Sequence, residues 1–237
     1  MPRPTSNRPI IEKSRWVLSW TDLTHPIYEN RQQAGRVLSE KLDQIGFQSD
    51  LLILAIPNGG LPVAAQIAEL IGALLDAIIV RKLQVPGNPE AGFGSLTSFG
   101  SVILNEALVR RLRLSDKQVR NAVKRTENQV RRRQAAYGGL IGIHEPEGKD
   151  VILVDDGLAS GYTMLAAVES VRQQGPDTIT VAVPTSSAGA AERVRNTVER
   201  LVCPRIESGF VFAVANAYQN WYDVSDAEAK EVLQRFR

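Results

Sequence analysis

One stretch constrains this chain more than any other: Val151-Ile152-Leu153-Val154-Asp155-Asp156-Gly157-Leu158-Ala159-Ser160-Gly161-Tyr162-Thr163-Met164. Its first four residues are apolar, three of them β-branched, which reads as a short strand buried on both faces. Two adjacent carboxylates end that strand. An apolar-periodic helix (Leu165, Ala166, Val168, Val171) begins directly after the loop. A tight loop between a buried strand and a helix leaves backbone N–H groups and the positive end of a helix dipole free for an anion. Gly157 and Gly161 let that backbone come close, and the hydroxyls of Ser160 and Thr163 add donors. The acid pair cannot serve the same anion, because like charges repel. It suits vicinal hydroxyls or a Mg²⁺ ion carried beside the anion.

A ligand with a phosphate monoester, a cis-diol and a metal-bound polyphosphate matches this arrangement. The segment resembles the 5-phosphoribosyl-1-pyrophosphate (PRPP) signature of type I phosphoribosyltransferases, which is an apolar strand, two acids, Gly, two residues, Thr or Ser, Gly, one residue, Thr. Every position is filled, with Ser160 where Thr is commoner. The resemblance covers roughly residues 30–225. It implies an α/β fold with a mostly parallel central sheet, helices on both faces, a small hood and a flexible lid. It also implies a 5′-phosphate site at Gly157, Leu158, Ala159, Ser160, Gly161, Tyr162 and Thr163. Asp155 and Asp156 would take the ribose hydroxyls and Mg²⁺. The implied reaction is transfer of the phosphoribosyl group to a nitrogenous small-molecule acceptor in nucleotide metabolism, with release of pyrophosphate.

Other segments extend this reading. Leu51 to Ile56 is a buried strand running into Pro57-Asn58-Gly59-Gly60, with a helix from Pro62 to about Ile71. Two glycines at such a junction suggest N–H groups turned toward a ligand. The resemblance assigns pyrophosphate here, although the family commonly has Arg where this chain has Asn58. Ala77 to Val80 reads as a further strand ending in Arg81 and Lys82, cations well placed at the ligand-binding edge of an open α/β sheet. These two cations join the acid pair as candidate catalytic residues. Residues 83–100, with Gly92, Gly94 and Pro86-Gly87-Asn88-Pro89, read as a long loop, the expected lid. Ser95 to Leu104 suggests a short hairpin around Phe99-Gly100. The Gly-Asn-Pro-Glu run after Arg81-Lys82, and Tyr218-x-x-Trp221-Tyr222-Asp223-Val224-Ser225-Asp226, resemble an incompletely characterised subgroup of predicted phosphoribosyltransferases.

Arg31 to Ile45 has helical apolar spacing at Ala34, Val37, Leu38, Leu42 and Ile45. Its other face, of Arg, Glu and Lys, reads as solvated, and Gly46 as a C-cap. Ser115 opens a long helix over 115–137 with a strongly basic face. A solvated surface explains such a face most simply. The alternative class, a PRPP-sensing regulator with weak or no catalysis, would use it on RNA or DNA. A formal charge of only +2 and the absence of interleaved aromatics argue against nucleic acid as a partner. Thr178 to Val183 and Leu201 to Cys203 read as strands, with Ser186 or Ser187 capping a helix from Ala188. Ser225 to Glu228 resembles a capping box. The aromatic run from Phe210 to Asp223 falls where the resemblance places the hood, so Tyr218 and Trp221 are assigned to the acceptor. Ala159 occupies the place where 6-oxopurine enzymes carry an Asp, which disfavours hypoxanthine and guanine.

The 237 residues suggest an N-terminal extension over 1–27 and one domain over 28–237, with the lid at about 83–100 and the hood and last helix at about 205–237. Trp16 to Trp20 in the extension reads as an edge strand or clip. The single cysteine, Cys203, excludes an internal disulfide. No apolar run reaches membrane-spanning length, and the expectation is a cytoplasmic homodimer.

Overall fold

The computed structural model describes residues 28–209 and 212–237, so the expected clip at Trp16–Trp20 and the hood residue Phe210 lie outside the described residues. The chain runs α1 (Arg31–Leu42), β1 (Leu51–Ala55), α2 (Gly60–Ile71), β2 (Leu74–Ala77), β3 (Val80–Val85), β4 (Asn88–Thr97), β5 (Val102–Leu104), α3 (Glu106–Arg111) and α4 (Asp116–Ala136). It continues through β6 (Asp150–Val154), α5 (Tyr162–Arg172), β7 (Thr178–Ala182), β8 (Thr185–Ser187), α6 (Ala188–Arg195), β9 (Arg200–Val202), β10 (Arg205–Glu207), a 3₁₀ turn at Val214–Ala217 and α7 (Asp226–Gln234).

The central sheet is parallel throughout, in the order β2-β1-β6-β7-β9. Its strands are continuous apolar runs because both faces are covered. Ile53, Ala55, Ile152 and Val154 face Leu38, Leu42, Leu61 and Ile67 of α1 and α2. The alternate residues Leu52, Leu54, Val151 and Leu153 face Met164, Val168, Val171 and Val194 of α5 and α6. Each such Val, Leu, Ile or Met side chain, fully removed from water, contributes about 1.5–3 kcal/mol before entropy is counted. Helices α1 and α2 cross closely, since a Cβ on Gly35 would lie 2.6 Å from the Val63 carbonyl oxygen. No described helix is long and apolar enough to cross a membrane.

Two expectations fail in the same region. The strand expected at Ala77–Val80 ends at Ala77, and the chain turns through Ile78 and Ile79 into β3. Arg81 and Lys82 therefore sit early in a separate antiparallel sheet, β3-β4-β5, rather than at the end of a parallel strand. Residues 83–100 are likewise mostly strand, with Leu83 and Phe93 fully buried beneath the hairpin. The glycines that suggested a loop are needed for strand contact: a Cβ on Gly94 would meet the Ile103 carbonyl oxygen at 2.4 Å. The expected hairpin around Phe99-Gly100 is present as the β4/β5 pair, with Leu96 opposite Val102.

The helices follow their caps. Ser115 and Gln118 form a full capping box on α4, and Ser187 caps α6. Ser225 caps α7, while the Glu228 carboxylate accepts from the Tyr222 hydroxyl. Helix α1 stops at Leu42 with Asp43 as its C-cap, three residues short of the proposed Gly46.

Candidate active site

The order in which strands are added to the sheet reverses between β1 and β6. From β1 the chain winds through α2 to β2 on one side, and from β6 it winds through α5 to β7 on the other. The crevice beyond the carboxyl ends of two such neighbouring strands is where open α/β sheets bind ligands. Here it brings the Ile56–Gly59 loop against Asp155 and Asp156. The approach is close enough that a Cβ on Gly59 would lie 2.0 Å from Asp156 Oδ2, and one on Gly60 2.8 Å from the Val154 carbonyl oxygen. These glycines are thus required first by the acid pair itself.

The loop after the acids is built to expose N–H groups. The Ala159 carbonyl accepts from the Ser187 hydroxyl (2.8 Å), and the Ser160 carbonyl from an Arg193 guanidinium nitrogen (2.9 Å). In a planar trans peptide, a carbonyl tied back turns the next N–H the opposite way. Among the described residues, the N–H groups from Ala159 to Thr163 find no intramolecular acceptor. Gly161, at φ +78°, enters α5 without a side-chain cap, leaving the helix dipole open. Ser160 and Thr163 are exposed. Leu158 is an anchor instead: its side chain is buried, its N–H donates to the Thr185 carbonyl, and its carbonyl accepts from the Ser187 N–H. The Tyr162 ring is exposed beside Arg193.

Sequence reasoning missed Arg31. It lies at the first turn of α1 on the face read as solvated, yet it is only 3 % exposed. Its Nε and Nη2 donate to Asp156 Oδ2 at 3.0 and 2.8 Å, and its Nη1 donates to the Tyr222 carbonyl at 2.9 Å. The guanidinium carbon also lies 4.1 Å from the centre of the Trp221 ring. No local signal marks Arg31, because its partner is 125 residues away. Burial raises the pKa of both acids. For Asp155 the neighbouring Asp156 charge adds to burial, whereas for Asp156 the Arg31 charge opposes it. Both Arg31 bonds to Asp156 use the same oxygen, Oδ2, and Oδ1 takes no part in them.

Three expected site residues have other roles in this structure. Tyr218 is 5 % exposed and its hydroxyl donates to the Asp156 carbonyl at 2.6 Å, so it braces the acid pair rather than presenting a ring. Trp221, at 39 % exposure, does present one. The Asn58 side chain is engaged at both ends. Its Nδ2 donates to the Val224 carbonyl and to Asp226, and its Oδ1 accepts from Tyr137 and Arg133. Among the described residues the backbone N–H groups of Asn58 and Gly59, which follow a cis Pro57–Asn58 peptide, find no intramolecular acceptor. Third, Leu158 contacts the body of the domain and not the crevice.

Arg81, Lys82 and Thr163 line a cavity of about 630 Å³ together with Arg132 and Arg133 of α4. For a divalent metal, the described residues hold no group of three or more His, Cys, Asp or Glu able to bind it alone. Two neighbouring carboxylates, one of them with an oxygen that Arg31 does not engage, do fit a Mg²⁺ that arrives with its own phosphate ligands.

Comparison with known proteins agrees with this geometry. The sequence profile of the phosphoribosyl transferase domain matches residues 24–219. Two Mycobacterium tuberculosis proteins, from strains CDC 1551 and H37Rv, each named "Putative phosphoribosyl transferase", are 33 % identical over 210 residues. That match takes in 88 % of this chain and 47 % of theirs, so the chain spans about half the length of these curated relatives. The crystal structure of TT1426 from Thermus thermophilus superposes with a TM-score of 0.78 at 32 % identity, covering 89 % of this chain and 99 % of that one. By profile, relatives and structure alike, the chain belongs to the phosphoribosyl transferase family.

Proposed function

We propose that the protein transfers the 5-phosphoribosyl group of PRPP to a nitrogen nucleophile and releases pyrophosphate. The observation that carries this reading is the meeting of an open anion loop (157–163) with a buried acid pair at the β1/β6 crevice. The loop N–H groups and the Ser160 and Thr163 hydroxyls hold the 5′-phosphate. Asp155 and the Oδ1 of Asp156 accept from the ribose hydroxyls, and Arg31 fixes the Asp156 carboxylate while they do so. The backbone N–H groups of Asn58 and Gly59, with Arg81 and Lys82, take the pyrophosphate.

In the reaction, the bond from the anomeric carbon to pyrophosphate oxygen breaks as the acceptor nitrogen forms its own bond, and the acceptor's proton passes to solvent. Positive charge develops on the ribose ring, and negative charge on the leaving group. Fixed dipoles and cations placed for the leaving charge lower that barrier. A Mg²⁺ held by Asp155 and Asp156 together with the diphosphate would neutralise part of the leaving charge. The exposed Trp221 ring, backed by Arg31, offers the acceptor a stacking surface. Ala159 supplies no carboxylate for a 6-oxopurine, which points to adenine, a pyrimidine or a non-nucleobase amine.

Calorimetric titration with PRPP and Mg²⁺ tests the reading, on the wild type and on Asp155→Asn. Wild-type binding weakened at least tenfold by the substitution, about 1.4 kcal/mol, followed by acceptor-dependent pyrophosphate release, is the expected result. A wild type that ignores PRPP sinks the assignment. Binding with no release across a panel of nitrogenous acceptors would instead mark a sensor, for which the exposed cations of α4 (Arg120, Lys124, Arg125, Arg131) offer a nucleic-acid face.

A further inference from the structure

We propose that helix α4 forms part of the site: Arg132 and Arg133, with Arg81 and Lys82, make a subsite for a diphosphate group, and the bonds of Arg133 to Asn58 and Asp226 hold α4 against the Pro57–Gly60 loop. The proposal rests on the phosphoribosyl-donor reading for the origin of that diphosphate.

Three observations support it. First, four cations are among the described residues that line the 630 Å³ cavity, one of them, Arg133, paired with Asp226. Thr163, in the first turn of α5, forms part of its wall, so the cavity is continuous with the anion loop. Second, its α4 lining consists of Gln129, Arg132, Arg133 and Ala136, an i, i+3, i+4, i+7 stripe. One edge of the basic helix is therefore turned into the cavity, while Arg120, Lys124 and Arg131 are exposed elsewhere on it. Third, α4 is fastened to the loop by that same edge. The Arg133 guanidinium and the Tyr137 hydroxyl both donate to Asn58 Oδ1, and Asp226 of α7 ties Arg133 at 2.6 Å. Burial raises the Tyr137 pKa, and the charges of Arg133 and Arg81 oppose that rise.

A guanidinium suits this task. Its planar fork matches two phosphate oxygens at once, and it keeps its charge when partly buried. Arg133 is held at the loop through Asn58, whereas Arg132 and Arg81 have no ion pair among the described residues.

Inorganic pyrophosphate, titrated calorimetrically at low ionic strength, tests the subsite directly. Wild type, Arg132→Gln, Arg133→Gln, Arg133→Lys and Arg120→Gln are compared, with melting curves confirming that each is folded. The expected result is pyrophosphate binding weakened roughly fivefold by Arg132→Gln and tenfold or more by Arg133→Gln. Arg133→Lys should recover part of the loss, and Arg120→Gln should match wild type. Ribose 5-phosphate, which needs only the 157–163 loop, should bind Arg132→Gln as it binds wild type. The subsite falls if wild type binds no pyrophosphate, or if Arg120→Gln and Arg132→Gln weaken it equally. PRPP serves as the separating arm. PRPP binding indifferent to the arginine variants leaves the donor reading standing and the subsite refuted. Arginine-dependent pyrophosphate binding without PRPP binding does the reverse.

Discussion

At the scale of single residues, the Arg31–Asp156 pair and the neighbouring Asp155 respond to mutation in opposite senses. Arg31 and Asp156 are both largely withdrawn from water, so removing one leaves the other buried without its counter-charge. Arg31→Met should cost about 3–5 kcal/mol in urea unfolding. Asp155 has no ion pair of its own among the described residues. Burial and the Asp156 charge raise its pKa, so its ionised form is a load on the folded state. Asp155→Asn should raise Tm at pH 7 in the ligand-free protein while weakening PRPP binding at least tenfold, and the gain in Tm should vanish as pH falls into the carboxylate range. An unchanged or lowered Tm would show that the carboxylate is better solvated than its surroundings imply. The acids themselves were legible in the sequence, because strand, acids and glycines are consecutive. Arg31 was not, because nothing near it in the chain reports a partner 125 residues distant. Tyr218 was legible as an aromatic near the site but not in its orientation, which depends on its hydroxyl meeting the Asp156 carbonyl.

At the scale of elements, the loops after β1 and β6 are fitted to one another. Gly59→Ala would place a Cβ 2.0 Å from Asp156 Oδ2, so the loop, the carboxylate or both must move. The expected outcome is PRPP affinity reduced by tenfold or more with the sheet intact, read by calorimetry beside circular dichroism. Equal loss of binding and of secondary structure would assign the glycine to folding alone. The parallel strands and their helices could be read from apolar runs and caps, as with Leu51–Ala55 and with Ser115 on α4. The β3/β4 hairpin could not. Its glycines and prolines carry the composition of a loop, and only the burial of Leu83 and Phe93 beneath it shows why the chain pairs there. The basic face of α4 was equally ambiguous, because its helical stripe gains meaning only from the cavity it faces.

At the scale of the whole molecule, the two ends of the central sheet have different electrostatic duties. Asp150 opens β6 at the end remote from the site. Burial pushes its pKa up, but bonds from the Thr178 hydroxyl and the N–H groups of Ser49 and Gln48 outweigh that and hold it low. A carboxyl depressed on folding stabilises above its unfolded pKa of about 4 and loses that contribution as pH falls through its lower folded value. Asp150→Asn should therefore lose about 1–3 kcal/mol at pH 7 and show a flatter decline in urea midpoint between pH 5 and pH 3 than wild type. The same decline in both proteins would place the acid sensitivity elsewhere. The β1/β6 pairing also has a consequence in time. Ile53 lies beside Ile152, so the two loops of the crevice belong to segments about a hundred residues apart in the chain. Neither half can shape the pocket alone, and closing so long a loop is an entropically slow step. During refolding, helical signal should return before the capacity to bind PRPP, and the last structural event should be the one that creates the crevice.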